Sequence, residues 1–427
     1  MKQDILNALN HSNIFITGGA GVGKSYITNE IIREYKSKFK GVVALGSTGI
    51  SAVNIGGFTL HSFFVFGISN NLQELVQNDK KGRYKLLELK KILKATELII
   101  IDEVSMISSD VMDMIYYRLS SYGYYGKIMF VGDFFQLPPI VKTDKSNQDN
   151  LFNDKLYAFE SDAWDKFNPY VIELKEMKRT SDIEFTDILS KIRAGHCDES
   201  VVLYMFRLAN NRLKEKNPTY LYGRNVEVDR KNRDKLDELS SEETILFANL
   251  EMFKIVNEKR LESWKKLLPI TEQLTLKVGV PILFTINNWG KFVNGERGIV
   301  VEIGYDYVLV EKNDGIIKVE RYGFDLLDIK VNDDGEIENI ALATLSQFPI
   351  KLAYAVTIHK SQGMSIDNLV CNMDNIFVPS QFYVALSRAT NPKNLRLDFN
   401  RGDLAIYLQR VVNVDSRVVE YYKNDKQ

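Results

Sequence analysis

Short apolar runs, each closed by turn or polar residues, recur along the first half of the chain: Ile14 to Thr17, Val42 to Leu45, Leu98 to Ile101 and Ile128 to Val131. Runs of this length without polar alternation predict parallel strands buried on both faces. Between the first two, Ile27, Ile31 and Tyr35 recur every four residues, on one face of a predicted helix. A β-α-β series of this kind predicts an α/β domain over residues 1–170, with ligands at the carboxyl ends of its strands. Residues 65–94 interrupt the pattern. They are polar and then basic, with Lys80, Lys81, Arg83, Lys85, Lys90, Lys91 and Lys94. The segment reads as an excursion from the core, and its charge alone favours a solvated helix face.

A second α/β region begins near Val171 to Leu174, continues through Thr219 to Tyr222, and resumes with Asn368 to Met373 and Leu395 to Leu397. Between residues 276 and 345 the texture changes to short strands. Gly298 to Ile303 and Tyr305 to Val310 run close together, and Asn313-Asp314-Gly315 is a hairpin turn before Ile316 to Val319. The pattern predicts a small β-barrel, 276–345, inserted into a second α/β domain made of 171–275 and 346–427.

Composition bounds this picture without redrawing it. The 427 residues suit two to four domains, at roughly 100 to 200 residues each. A hydrophobic fraction of 45% with 26% charged residues excludes wholesale disorder and collagen-like repeats. Lysine plus arginine number 55 and aspartate plus glutamate 56, a net charge of -1. That balance excludes a protein that holds nucleic acid through bulk positive charge, so any such binding must come from local grooves. Cys197 and Cys371 stand far apart and the four histidines are scattered, so neither a disulfide framework nor a structural metal is expected. The plain reading of the two cysteines is a pair of small, partly buried residues. No apolar run approaches the ~20 residues of a membrane span. The amino terminus lacks a signal-peptide layout. A soluble, cytoplasmic protein without a membrane partner is expected.

The chemistry begins at Gly18-Gly19-Ala20-Gly21-Val22-Gly23-Lys24-Ser25, which fits the P-loop spacing between a strand and a helix. Glycines there let backbone N–H groups curl around phosphate oxygens, and the helix N-terminus adds partial positive charge. Lys24 reaches the β- and γ-phosphates of ATP and the Ser25 hydroxyl ligates Mg²⁺. The run Leu98 to Ile101 delivers Asp102 and Glu103 to a strand end. Asp102 can hold Mg²⁺ through water, and Glu103 can orient or deprotonate the attacking water. A bare Asp-Glu pair also reads as a solvated loop. Ile128 to Val131 leads into Gly132-Asp133-Phe134-Phe135-Gln136-Leu137-Pro138-Pro139. Gln136 can hydrogen-bond the γ-phosphate or the attacking water, and the prolines stiffen the exit. Without its context the run is an ordinary proline-terminated turn.

Taken in order, GGAGVGKS, STGISAVNIGGFTLHSF, IIIDEVSM, FVGDFFQLPPI, AYAVTIHKSQGMSID and QFYVALSRATN resemble the motifs of a superfamily 1 DNA helicase. More narrowly, the chain resembles the petite-integration-frequency (PIF-type) 5′-to-3′ helicases, with RecD and phage Dda-type enzymes as relatives. The resemblance implies two RecA-like P-loop domains with ATP between them. Arg179 and Arg388 match the arginines of motifs IV and VI, which the resemblance makes arginine fingers supplied in cis. Such a finger is worth about 10³ to 10⁵ in rate. By frequency alone, each arginine reads as a surface salt bridge.

The resemblance further implies a monomeric motor on single-stranded DNA and forked duplexes, and the family acts on G-quadruplexes as well, for which no residue here is a predictor. Thr48, Thr59, His61 and Phe63 match first-domain strand-binding segments. Thr357, His359, Lys360 and Gln362 match the second-domain motif. Hydroxyl and amide donors suit phosphates, and His or Phe can stack on bases. Phe63 reads equally well as core packing. Trp289 and Asn294, at the edge of the expected barrel, are further DNA candidates. A wedge follows the TLHSF-type motif in this family, which makes 65–94 a candidate duplex splitter.

The chain departs from the family at three places. The stretch from Asp102 to Gly132 is short and lacks a Pro-Phe-Gly-Gly turn. Gln3 is only a weak match to the adenine-reading glutamine. Arg179 is followed by Thr180 where glutamine is usual. Two other readings stay open: a DNA-stimulated NTPase that remodels protein–DNA complexes without unwinding, and an RNA helicase.

Overall fold

The computed structural model describes residues 1–79, 83–139, 155–288, 290–376 and 378–424, without the side chains of Arg83 and Tyr84. The chain forms two compact units. The first comprises Met1–Glu176, Leu327–Ile340 and the chain from Arg417 onward; the second comprises Met177–Leu326 and Ala341–Ser416.

Six strands build the first unit: β1 Ile14–Thr17, β2 Val42–Gly46, β3 Phe58–Thr59, β4 Leu98–Asp102, β5 Lys127–Val131 and β6 Tyr170–Glu173. They pair in parallel in the order β3-β2-β4-β5-β1-β6. Strand β1 has a partner on each side and all four of its residues are buried, which is why its sequence shows no polar alternation. Ile14 and Ile16 pack with Ile5 and Leu9 of helix Lys2–His11 and with Ile27, Ile31 and Tyr35 of helix Lys24–Ser37. Phe15, on the opposite face, meets Phe134 and Trp164 with ring centroids 5.2 and 5.4 Å away. The sheet is thus covered on both faces, as a parallel sheet must be.

Three expectations about this unit are corrected. The run Val171 to Leu174 does not open the second domain. As β6 it pairs with β1 from Ile14↔Tyr170 to Thr17↔Glu173, and the first unit runs on to Glu176. An apolar strand carries no mark of which sheet it will join. Likewise, the chain from Arg417 onward returns to the first unit instead of completing the second. Its helix Ser416–Asn424 brings Tyr421 against Phe159, stacked at 4.5 Å, and Tyr422 against Phe135, stacked at 4.8 Å. The 65–94 segment is only in part an excursion. Helix Arg83–Ala95 buries Leu86, Leu89, Ile92 and Leu93 and leads directly into β4, while Lys85, Lys90, Lys91 and Lys94 are exposed. That is the solvated-face reading; Lys80 and Lys81 lie outside the described residues.

The other helix of that segment, Leu72–Asp79, is tied down by a buried arginine. Arg118, on helix Ser109–Ser121, is fully buried and forms a bidentate pair with Asp79, with Nη2 2.7 Å from Oδ1. It also donates to the carbonyls of Phe64 at 2.9 Å and Val65 at 3.3 Å. One guanidinium therefore fixes both the loop after β3 and the helix that follows it.

The core of the second unit is a parallel sheet in the order Ala355–Thr357, Thr219–Tyr222, Leu369–Asn372, Leu395–Asp398. The β-rich part differs from the expected barrel over 276–345. Its strands begin at Glu243, end at Leu352 and form three hydrogen-bonded sheets of five, two and three strands, and Leu327–Ile340 within this range belongs to the first unit. Antiparallel pairing with the distant Ile350–Leu352 closes the five-stranded sheet on one side, a long-range partner that local alternation cannot reveal. The hairpin turn falls where expected, with Lys312 opposite Gly315. Among the described residues, no helix is long and apolar enough to cross a membrane.

Replacing Arg118 by methionine keeps much of its bulk but strands the Asp79 carboxylate and two carbonyls. Removing one partner of a buried pair costs ~3–5 kcal/mol. We expect denaturant unfolding of the Arg118→Met chain to show a loss of that size; a loss under about 1 kcal/mol would reduce the clasp to a surface-type pair.

Candidate functional site

In the first unit the chain leaves β1 at Thr17 and enters helix Lys24–Ser37 through six loop residues, Gly18 to Gly23. Gly18, Gly21 and Gly23 hold φ of 138°, 84° and 91°, which side chains rarely tolerate. At Gly18 there is also no room: a Cβ would stand 2.3 Å from the Leu174 carbonyl oxygen, just past β6. The P-loop is therefore gripped at its start by the neighbouring strand. Gly19, Ala20 and Val22 complete the loop, Ser25 is exposed in the helix's first turn, and Lys24 donates to the carbonyls of Gly18 and Gly19 at 2.7 and 3.0 Å.

Strand β4 ends at Asp102, whose Oδ1 accepts from the Glu103 amide at 2.9 Å. Glu103 takes φ 54°, a left-handed conformation uncommon for a side-chain-bearing residue and typical of functional turns. Burial, and then the neighbouring Glu103 carboxylate, push the Asp102 carboxyl up to about 7, while the Glu103 amide and Lys24 oppose the shift. A desolvated carboxylate beside a second one is a position that a cation stabilises. The Ser25 hydroxyl and Asp102 carboxylate are hard oxygen donors and fit Mg²⁺. From β5, Gly132 lies against the turn after Glu103, with Val104 2.9 Å from where a Cβ would be. Gln136 is buried and its amide donates to Asp133 Oδ2 at 3.2 Å, while Asp133 Oδ1 holds the Phe135 amide. Lys24, Asp102, Glu103 and Gln136 thus all come from the carboxyl ends of adjacent strands β1, β4 and β5.

Other first-unit candidates fare unequally. Thr48 and Thr59 are N-caps: Thr48 Oγ1 accepts from the Ser51 amide at 3.1 Å and Thr59 Oγ1 from the Ser62 amide at 3.3 Å. Each sits at a helix N-terminus, where backbone amides suit phosphate. His61 is exposed, edge-on to Phe66, and the apolar surroundings of its ring lower its proton affinity. Phe63 is buried, packed between Phe58 and Phe64, so it is core and no base reader. Gln3 is exposed and its amide donates to Asn7 one turn on, a local helix contact that does not present it to a base.

The second unit brings Arg179 and Arg388 together. Arg179 donates to Ser365 Oγ at 2.9 Å and to the Ser387 carbonyl at 2.7 Å. Arg388, 1% exposed, donates to the Val384 carbonyl and Ser387 Oγ, both at 2.9 Å, and reaches the Ser361 carbonyl at 3.4 Å. Burial, and next the like charge of Arg388, lower the proton affinity of Arg179. Two guanidiniums thus converge on Ser387, Arg179 through its carbonyl and Arg388 through its hydroxyl.

Two partners of these arginines, Ser361 and Ser365, belong to the same segment as the DNA candidates. Lys360 is exposed, His359 and Gln362 are half-buried, and burial lowers the proton affinity of His359. Thr357 is buried, with its hydroxyl accepting from the Lys360 amide at 3.2 Å, so it shapes the turn and is not a surface contact. Asn294 is likewise buried, and its Oδ1 has no hydrogen-bond partner. The following Gly295, φ 87°, lies so close to Met364 and Ser365 that a Cβ would stand 2.8–2.9 Å from them. Trp289 lies outside the described residues.

Sequence reading missed Lys351. It is half-buried on Ile350–Leu352, 3.9 Å from the sulfur of Met364, and burial, followed by Lys360, pushes its ammonium down to about 7. A lysine in an apolar strand run was the available signal. Because the unfolded chain keeps this proton to about 10.5 and the folded chain only to about 7, stability rises with pH across that window and is level, at its lowest, below it. We expect Lys351→Met to flatten the rise in denaturant unfolding between those pH values; an unchanged slope would remove Lys351 as its source.

A family model described as PIF1-like helicase matches residues 3–202, and one described as helicase matches residues 300–424. The chain is 43% identical over 437 residues to the ATP-dependent DNA helicase Pif1 of Campylobacter jejuni, covering 99% of this chain and 97% of that protein. It is similar to Bacteroides Pif1 in complex with ADP-AlF4, with TM-score 0.83 and 26% identity, over 100% of this chain and 96% of that one. It is also similar to the Bacteroides Pif1 helicase in complex with ADP-AlF3 and ssDNA, with TM-score 0.66 and 27% identity over the same shares, 100% and 96%.

Proposed function

The chain belongs to the PIF1-like helicase family, and from that premise we propose an ATP-dependent DNA helicase that moves 5′ to 3′ along single-stranded DNA and splits forked duplexes. The observation that carries this reading is the sharing of one segment by two chemistries. Arg179 and Arg388 are hydrogen-bonded to Ser365 and Ser361, within the run that bears His359, Lys360 and Gln362. Any anion that pulls on the two guanidiniums bears directly on the residues proposed to grip DNA. An NTPase without a motor function has no need of that linkage.

In this reading the P-loop amides and Lys24 bind the phosphates of ATP. Ser25 and Asp102 would hold Mg²⁺, which would neutralise charge on those phosphates. Glu103 orients the attacking water and takes its proton, Gln136 monitors the γ-phosphate, and the arginine pair stabilises the charge that develops on it. Thr48, Thr59 and His61 of the first unit, with His359, Lys360 and Gln362 of the second, serve as the alternating grips. Residues 65–79 are the remaining candidate for the wedge. Each base pair opened costs ~1.4 kcal/mol by stacking estimates. The same reading puts the enzyme in the cytoplasm as a monomer, and its two free cysteines suit a reducing compartment.

Forked duplexes with a 5′ or a 3′ single-stranded tail test activity and polarity together. We expect strand release only from the 5′-tailed fork; ATPase stimulation without release would favour the remodelling NTPase, and preferential stimulation by RNA would favour an RNA helicase. Lys24→Ala should abolish turnover while single-strand binding, read by fluorescence anisotropy, stays near wild type. Arg388→Ala should lose roughly 10³ or more in turnover with a smaller change in ATP affinity, and normal turnover would remove it from the reaction.

A further inference from the structure

We propose that Tyr422, on the helix Ser416–Asn424, is a positioning residue for ATP hydrolysis: its hydroxyl fixes the end of the P-loop strand to the turn that carries Gln136. The inference rests on the ATPase reading above. The Tyr422 hydroxyl lies 2.7 Å from Thr17 Oγ1 and accepts from the Phe134 amide at 3.3 Å. Thr17 is the last residue of β1, directly before Gly18, and Phe134 lies two residues before Gln136; both are 1% exposed. The ring of Tyr422 stacks on Phe135 at 4.8 Å with 12° between planes, so it covers the one residue between Phe134 and Gln136.

The rest of the helix is anchored independently of that hydroxyl. Tyr421 stacks on Phe159 and meets Phe134 edge-on, and Arg417 lies 3.6 Å from Glu160 and over the Tyr157 ring. The ring can therefore stay in place when the hydroxyl is removed. What is lost is the acceptor of a buried amide and the partner of a buried threonine hydroxyl, groups that do not tolerate isolation from water. Strand β1 and the β5 turn are otherwise joined here by the Gly132 amide donating to the Ile16 carbonyl at 3.1 Å. Without the tyrosine hydroxyl, the side of the site bearing Gln136 loses its registration to the phosphate loop.

The test is DNA-stimulated ATP hydrolysis by the full chain carrying Tyr422→Phe. We expect kcat to fall about five-fold, the rate equivalent of one lost hydrogen bond, with KM for ATP close to wild type and the thermal midpoint lowered only by the ~2–4 °C that one such bond accounts for, so that the chain stays folded at the assay temperature. Thr17→Val should give a similar loss, and the double variant should be no slower than the slower single, because both remove the same bridge. Wild-type kcat in Tyr422→Phe would overturn the proposal, as would losses that multiply in the double variant or that reflect unfolding at the assay temperature. If the unmodified chain hydrolyses no ATP with DNA present, the ATPase reading itself fails, an outcome separate from these.

Discussion

Strand β1 is paired on both edges, and the phosphate-binding end of the first unit inherits its geometry from that fact. Hydrogen bonds to β5 and β6 leave β1 no freedom to slide, so Thr17 and Gly18 emerge at one fixed place. The grip is close enough that the Leu174 carbonyl occupies the space of any side chain at position 18. With β1 fixed, parallel pairing delivers the ends of β4 and β5 to the same edge, and with them Asp102, Glu103 and the Gln136 turn. Sheet pairing gathers these groups, and the Tyr422 hydroxyl adds one long-range tie between the end of β1 and the Gln136 turn. The hydrophobic faces that hold the sheet, Ile14 and Ile16 on one side and Phe15 on the other, are also what aligns the chemistry.

The second unit solves a different problem, which is to keep two positive charges together. Arg388 opposes the charge of Arg179, and serine hydroxyls and backbone carbonyls hold the two guanidiniums in place. A charge pair left in that condition is responsive: an anion changes its energy more than it would change that of two solvated arginines. Ser361 and Ser365 lie in the segment after His359, and Gly295 packs on that segment so tightly that it cannot shift without disturbing the loop against it. Responsiveness and mechanical linkage are therefore built from the same few residues.

Much of this was legible in the sequence, and the division follows the range of the interactions. The strands β1, β2, β4 and β5, the helix after the P-loop and the hairpin at Asn313-Asp314 are written in local periodicity and turn chemistry. Lys24, Ser25, Asp102 and Glu103 are candidates from sequence because their strand-to-helix context is local as well. Partner choice is not local. Val171 to Leu174 has the composition of any buried strand, and nothing in it names β1 as its neighbour. The β-rich part extends beyond 276–345 because Glu243–Phe247 and Ile350–Leu352 pair with strands far along the chain. Phe63 and Thr357 match motif positions, but burial gives one to the core and the other to a turn. Tyr422 and Arg118 act through neighbours 288 and 54 residues away, a reach that no window on the sequence contains.

The first unit is not continuous in the chain, and that has a consequence for biosynthesis. Its sheet is encoded before residue 176, yet the helix that packs on Phe134, Phe135 and Phe159 is encoded after the whole second unit. On the ribosome, the nascent ATPase core waits with that aromatic surface uncovered until Ser416–Asn424 has been made. A chain broken off or stalled anywhere in the second unit carries a P-loop without its last aromatic layer. Such fragments expose a sticky apolar face to chaperones and proteases, so a defect late in synthesis is reported at the part of the molecule made first.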